Sequence, residues 1–149
     1  MWLTQIWASR WVIHGIRETA VYLQEYKISR VGLLATDGTI QCELFQNILV
    51  EYGIQSVIPD KDGQKGVMSI IYDSIKAGKK ADVRMLEQIS GQLREKGAEV
   101  ILLACTELSL IKKDYSLSPG YLDVMEVLAK KVVENCGCLR QEYHKLITE

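Results

Sequence analysis

The chain has 149 residues, 48% hydrophobic and 25% charged, which is the make-up of one globular domain able to bury roughly 70% of its unfolded surface. With 18 basic and 19 acidic residues the net charge is −1, so composition offers no basic face for nucleic acid or an anionic membrane. The longest clean apolar run, Val100 to Cys105, is far shorter than the about 20 residues that span a bilayer.

Residues 1–15 differ from the rest, because Trp2, Trp7 and Trp11 all fall there. Trp7 and Trp11 are spaced as on one face of a short helix. Arg10 interrupts the apolar stretch and no basic segment precedes it, which argues against a secretory leader. Ile16 to Tyr26 then reads as a helix with Ile16, Ala20, Leu23 and Tyr26 on one face. Val31 to Ala35 has the continuous apolar character of a buried parallel strand. A turn from Thr36 to Thr39 leads into a helix over Ile40 to Tyr52, striped by Leu44, Phe45, Ile48 and Leu49 and stopped by Gly53. Ser56 to Ile58 is a second strand, and Asp60 to Gly66 reads as a polar loop before a helix reaching Ala77. Asp82 caps the next helix, which carries Val83, Leu86, Ile89 and Leu93. Val100 to Ala104 is the clearest strand; a helix is expected from Leu108, a loop over Asp114 to Gly120, and a final helix over Asp123 to Asn135.

Strands alternating with helices imply an α/β fold, a parallel sheet flanked by helices. Residues 16–122 are expected to form that domain, 123–136 a final helix and 137–149 a polar, loosely held tail. Ligands of such folds bind beyond the carboxyl ends of the strands. Thr36 to Thr39 and Cys105 to Glu107 both occupy that position.

Cys105 stands at a strand end just before a helix, whose N-terminus favours a thiolate. The same position suits an inert core cysteine. Thr106 can donate a hydrogen bond, and Glu107 can take a proton or orient an ammonium. Thr36 and Thr39 suit an anion or simply cap a helix. Lys76 either complements a helix C-terminus or meets a ligand. Cys42 and Cys136 are expected to be packing residues. Cys136 and Cys138 form a CxC pair, and His14 and His144 lie at opposite ends, so no metal site is expected. Reduced thiols and a cytoplasmic location follow from this cysteine usage.

Leu33 to Thr39, Ile71 to Gly78 and Lys96 to Leu108, in that order and spacing, resemble the motifs of the aspartate/glutamate racemase family, its aspartate racemase branch above all. The resemblance implies a racemase that works without pyridoxal phosphate or any other cofactor. It implies two pseudo-symmetric α/β domains, with one cysteine from each facing opposite sides of the substrate α-carbon. Cys105 would be the second-domain cysteine and Glu107 its acidic companion. Thr106 and Thr39 would hold substrate, and Lys76 would meet its side-chain carboxylate. The chain also departs from the family pattern. No cysteine precedes Cys42 and no asparagine precedes Asn47, so the first-domain Cys-Asn-Thr motif has no counterpart. Ala104 stands where the family usually has glycine. Most of the first domain is therefore expected to be missing, and with it the surface on which the final helix would pack. The expectation is a racemase-family chain acting on aspartate or glutamate, weakly active or inactive alone, that forms a homo-oligomer or pairs with a first-domain chain. A non-catalytic relict that binds dicarboxylates is the alternative; an unrelated thiol hydrolase would need a base beside Cys105.

Overall fold

The computed structural model describes residues 13–137 and 141–149. The three tryptophans lie outside the described residues. Four strands, β1 (Arg30–Leu34), β2 (Gln55–Val57), β3 (Val100–Leu103) and β4 (Tyr121–Asp123), form one sheet in the order β2-β1-β3-β4. All three pairings are parallel, and Leu34 lies opposite Leu103 where β1 and β3 end.

The helices are α1 (Gly15–Glu25), α2 (Asp37–Gln41), α3 (Leu44–Glu51), α4 (Lys61–Ser69), α5 (Val83–Glu95), α6 (Thr106–Asp114) and α7 (Val124–Cys136). They cover both faces of the sheet, so each strand alternates between two cores. Val31 and Leu33 of β1, with Val100 and Leu102 of β3, point to one core beside Leu23, Phe45, Leu49 and Val127. Leu34, Ile101 and Leu103 point to the other, beside Val67, Ile71, Leu86 and Leu93. Burial on both faces is why β1 and β3 read as unbroken apolar runs. Gly32 sits where α5 crosses β1. A Cβ there would come within 2.7 Å of Ile101 Cδ1 and 2.9 Å of Leu93 Cδ1.

The three expected strands appear within one residue of their expected bounds. β4 falls between the expected loop, which ends at Gly120, and the expected final helix, which begins at Asp123. It is only three residues long and follows Pro119 and Gly120, so no periodic signal marks it. The helix expected over Ile40 to Tyr52 is two helices, broken at Glu43, whose φ of 53° is left-handed. Asp60 to Gly66, expected as a loop, is mostly α4. Asp60 caps it by accepting a 2.7 Å hydrogen bond from Gly63 N. Its glycines serve close packing instead of a turn, since a Cβ on Gly66 would lie 2.9 Å from Ile89 Cδ1. A π-helical turn, Ile70–Ile75, continues α4.

α7 packs on α1 of the same chain, with Val124 and Val127 buried there and Leu128 against Gly15. Val132 and Val133 remain exposed. Cys136, expected as packing, is exposed as well. The end of the tail is held rather than loose. Thr148 N donates to Tyr121 O at 2.9 Å, and Gly120 N donates to Thr148 O at 2.8 Å. Leu146 N donates to the Tyr22 hydroxyl at 2.6 Å. The Thr148 bonds cover the outer edge of β4, which would otherwise present unpaired backbone groups, and the Leu146 bond ties the tail to α1.

Candidate functional site

Because β1 and β3 are parallel neighbours, their continuations leave the sheet side by side on one rim. Ala104 N still donates to Leu34 O at 2.9 Å, which fixes how the two exits align. The chain after β1 turns into α2 at Thr36, whose hydroxyl accepts from Thr39 N at 3.4 Å and lies 3.0 Å from Thr39 Oγ1. The chain after β3 turns into α6 at Cys105, which takes the N-cap position with extended backbone (φ −150°, ψ 157°). Its carbonyl accepts from Ser109 N at 3.2 Å.

The α4 helix and its π turn pass along this rim. Gln64 Nε2 donates to Ala35 O at 3.0 Å and to Asp37 Oδ1 at 2.8 Å. Further along, Lys76 closes the π turn with Nζ 3.5 Å from Glu107 Oε1 and 4.3 Å from the centre of the Tyr72 ring. Thr106 Oγ1 donates to Glu107 Oε2 at 3.0 Å. Lys76, Glu107, Thr106 and Cys105 are thus brought to one place by two elements distant in sequence. Thr39 shares their rim, hydrogen-bonded to Thr36 and not directly to that group. A groove of about 590 Å³ runs beside them between α2 and α4, lined by Asp37, Lys61, Gln64, Tyr72 and Asp73 among others.

Of the two sequence readings of the thiol, the electrostatics favour the buried, protonated one. Burial pushes the Cys105 thiol up to about 11, the Glu107 charge adds to this, and the Leu108 and Glu107 N–H groups oppose it. Desolvation outweighs the helix N-terminus because two backbone dipoles do not replace the water lost around a half-buried sulfur. Glu107 moves the opposite way. Its own backbone N–H holds its carboxyl below the usual range against partial burial, helped by the Thr106 hydroxyl and Lys76. For Lys76, desolvation pulls the pKa down, but Tyr72 and Glu107 outweigh it and keep the ammonium above the ordinary lysine value.

Several residues that frame the site carried no sequence signal. Tyr72 lies one helical turn before Lys76 and was read only as part of a motif. Asp123, buried, accepts from Ser109 Oγ at 2.7 Å and from Met125 N at 2.9 Å, so it ties α6 to α7 directly behind Cys105. Cys42, expected to pack, is exposed at the end of α2, its Sγ donating to Thr39 O at 3.2 Å. Among the described residues no three His, Cys, Asp or Glu side chains gather as metal ligands, and no helix is long and apolar enough to cross a membrane.

A family model described as Asp/Glu/Hydantoin racemase matches residues 9–132. The chain belongs to that family. An uncharacterized protein of Pectobacterium carotovorum is 37% identical over 126 residues, a match covering 83% of each chain. Picrophilus torridus aspartate racemase is similar in structure with a TM-score of 0.67 and 28% identity, over 93% of this chain and 61% of that one. An aspartate racemase homologue from Pyrococcus horikoshii superposes with a TM-score of 0.74 and 25% identity, over 83% of this chain and 55% of its own. The chain therefore spans just over half the length of these solved racemase-family members. Their shared fold is the parallel sheet and flanking helices described above.

Proposed function

We propose that this chain carries a proton-transfer site of an amino-acid racemase acting on aspartate or glutamate. One observation supports this most: Cys105 stands at the rim beside a preformed Lys76–Glu107 pair, thiol, cation and carboxylate together. In this reading Lys76 meets the substrate's side-chain carboxylate. Glu107 meets the α-ammonium, and Thr106 and Thr39 hold the α-carboxylate. Cys105 exchanges the α-proton. The substrate also supplies what the resting site lacks. An ammonium placed on Glu107 offsets the charge that adds to burial in holding the thiol protonated, so the thiolate costs less to form once substrate is bound. No cofactor has a role in this scheme.

A second reading, a dicarboxylate-binding module without catalysis, draws support from the raised thiol pKa. Alkylation of Cys105 tests the substrate site common to both. L-Aspartate at saturating concentration should slow the reaction, and Lys76→Met should remove that protection. Protection unaffected by Lys76→Met would overturn the assignment of Lys76; absence of protection would overturn the site.

A further inference from the structure

Gln64 is held by its amide nitrogen alone. Its Nε2 donates to Ala35 O at 3.0 Å and to Asp37 Oδ1 at 2.8 Å. Both partners are oxygen acceptors, so turning the amide round would lose both bonds. Its Oε1 is buried and has no hydrogen-bond partner among the described residues. A buried acceptor left in this state costs stability, and an apolar side chain of the same length would avoid that cost. What the glutamine contributes instead is the pair of donations, and these fall on the two residues that flank Thr36.

We propose that Gln64 is a positioning residue for the ligand, setting the place of the Thr36–Thr39 turn relative to Lys76. This rests on the reading above, in which Thr39 meets the α-carboxylate and Lys76 the side-chain carboxylate. Met68, one helical turn after Gln64, touches the same turn, because Asp37 N donates to its Sδ at 3.3 Å. Thr36 Oγ1 accepts from Thr39 N and lies 3.0 Å from Thr39 Oγ1, so a shift of Thr36 carries Thr39 with it.

The same helix places Lys76. Gln64 and Lys76 are 12 positions apart, which in an uninterrupted α-helix sets them about 120° apart around the axis. The π turn between them, in which Lys76 N donates to Ile71 O at 2.9 Å, accommodates one extra residue and cuts that angle to about 20°. Lys76 therefore returns to the side of the helix from which Gln64 reaches the turn, and from there it meets Glu107. Both carboxylate subsites are then set by one continuous element, α4 and its π turn, which fixes the separation a ligand must match.

Protection of Cys105 from alkylation, measured on the full chain with two probes, tests this. L-Aspartate carries both carboxylates; L-asparagine has the same shape without the side-chain charge. Gln64→Met keeps the length and removes both donations. It should raise the half-protecting concentration of both probes by about tenfold and leave the labelling rate without ligand unchanged. Lys76→Met should raise it for L-aspartate alone. Asp37→Leu removes one of the two bonds and should weaken protection by both probes relative to Asp37→Asn, whose amide oxygen still accepts from Gln64. Protection equal to the parent's in Gln64→Met, or a loss confined to L-aspartate, would overturn the positioning role and leave the site standing. A ligand-free labelling rate that rises as far as protection falls would make Gln64 a general support of the fold and likewise overturn it. A parent protected by L-aspartate but not by L-asparagine would show an α-carboxylate subsite without binding strength, and would overturn the role too. A parent unprotected by L-aspartate would overturn the site reading itself, and this inference with it.

Discussion

The protonation state of Cys105 separates burial from helix electrostatics, which pull in opposite directions. Its thiol lies at about 11 against an ordinary value of 9.0. At about 1.36 kcal/mol per unit, that is roughly 3 kcal/mol in favour of the protonated form. At neutral pH about one molecule in ten thousand would then carry the thiolate. The folded state holds this proton more tightly than the unfolded chain does. Its contribution to stability is therefore complete below pH 9.0 and is lost as pH rises from there towards 11. Iodoacetamide labelling read by mass spectrometry gives the titration directly, with exposed Cys42 and Cys136 as internal references. The labelling rate at Cys105 should still be climbing at about pH 10. Glu107→Gln removes a charge that opposes the thiolate and should raise the rate at mildly alkaline pH by about several-fold. A plateau reached by about pH 8 would show that the helix N-terminus outweighs desolvation, and would refute this reasoning.

Gly32→Ala should destabilise the fold by about 1–3 kcal/mol, because its Cβ would be driven into Ile101 and Leu93; a denaturant midpoint at unchanged m-value measures it. Asp123→Ala removes the α7 cap and the partner of Ser109, and should cost about 1–2 kcal/mol by the same assay, with faster Cys105 labelling as its backbone support loosens. Lys76→Met should let the Glu107 carboxyl titrate nearer its ordinary value of 4.5, measured by carbon NMR. In the parent, the stabilisation from Glu107 is present above that value and lost as pH falls through its lowered pKa; in Lys76→Met this pH dependence should shrink.

Much of the architecture was legible because it depends on patterns that a strand or helix cannot do without. β1 and β3 are buried on both faces and had to be continuous apolar runs, which located the sheet and therefore its rim. The rim in turn placed Thr36, Thr39, Cys105, Thr106 and Glu107 on the same side. Other features depend on tertiary contact and left no local mark. β4 exists because β3 offers it a partner, and the tail is held because Thr148 meets the edge of β4. The glycines of α4 looked like loop residues, yet Gly66 permits close approach to α5. The meeting of Lys76 with Glu107 spans 31 positions, and the π turn that aims Lys76 has no recognisable period. The ionisation of Cys105 was left open by the sequence for the same reason. A helix N-terminus can be read from sequence, but the loss of water around a sulfur cannot.

The central claim is that Cys105 exchanges the α-proton of an acidic amino acid. Proton NMR of aspartate incubated with the purified chain in deuterated buffer tests it most directly, because exchange with solvent requires a group on only one face. The parent and Cys42→Ser should wash out the α-proton signal, and Cys105→Ala should leave it intact. Washout that persists undiminished in Cys105→Ala would contradict the account.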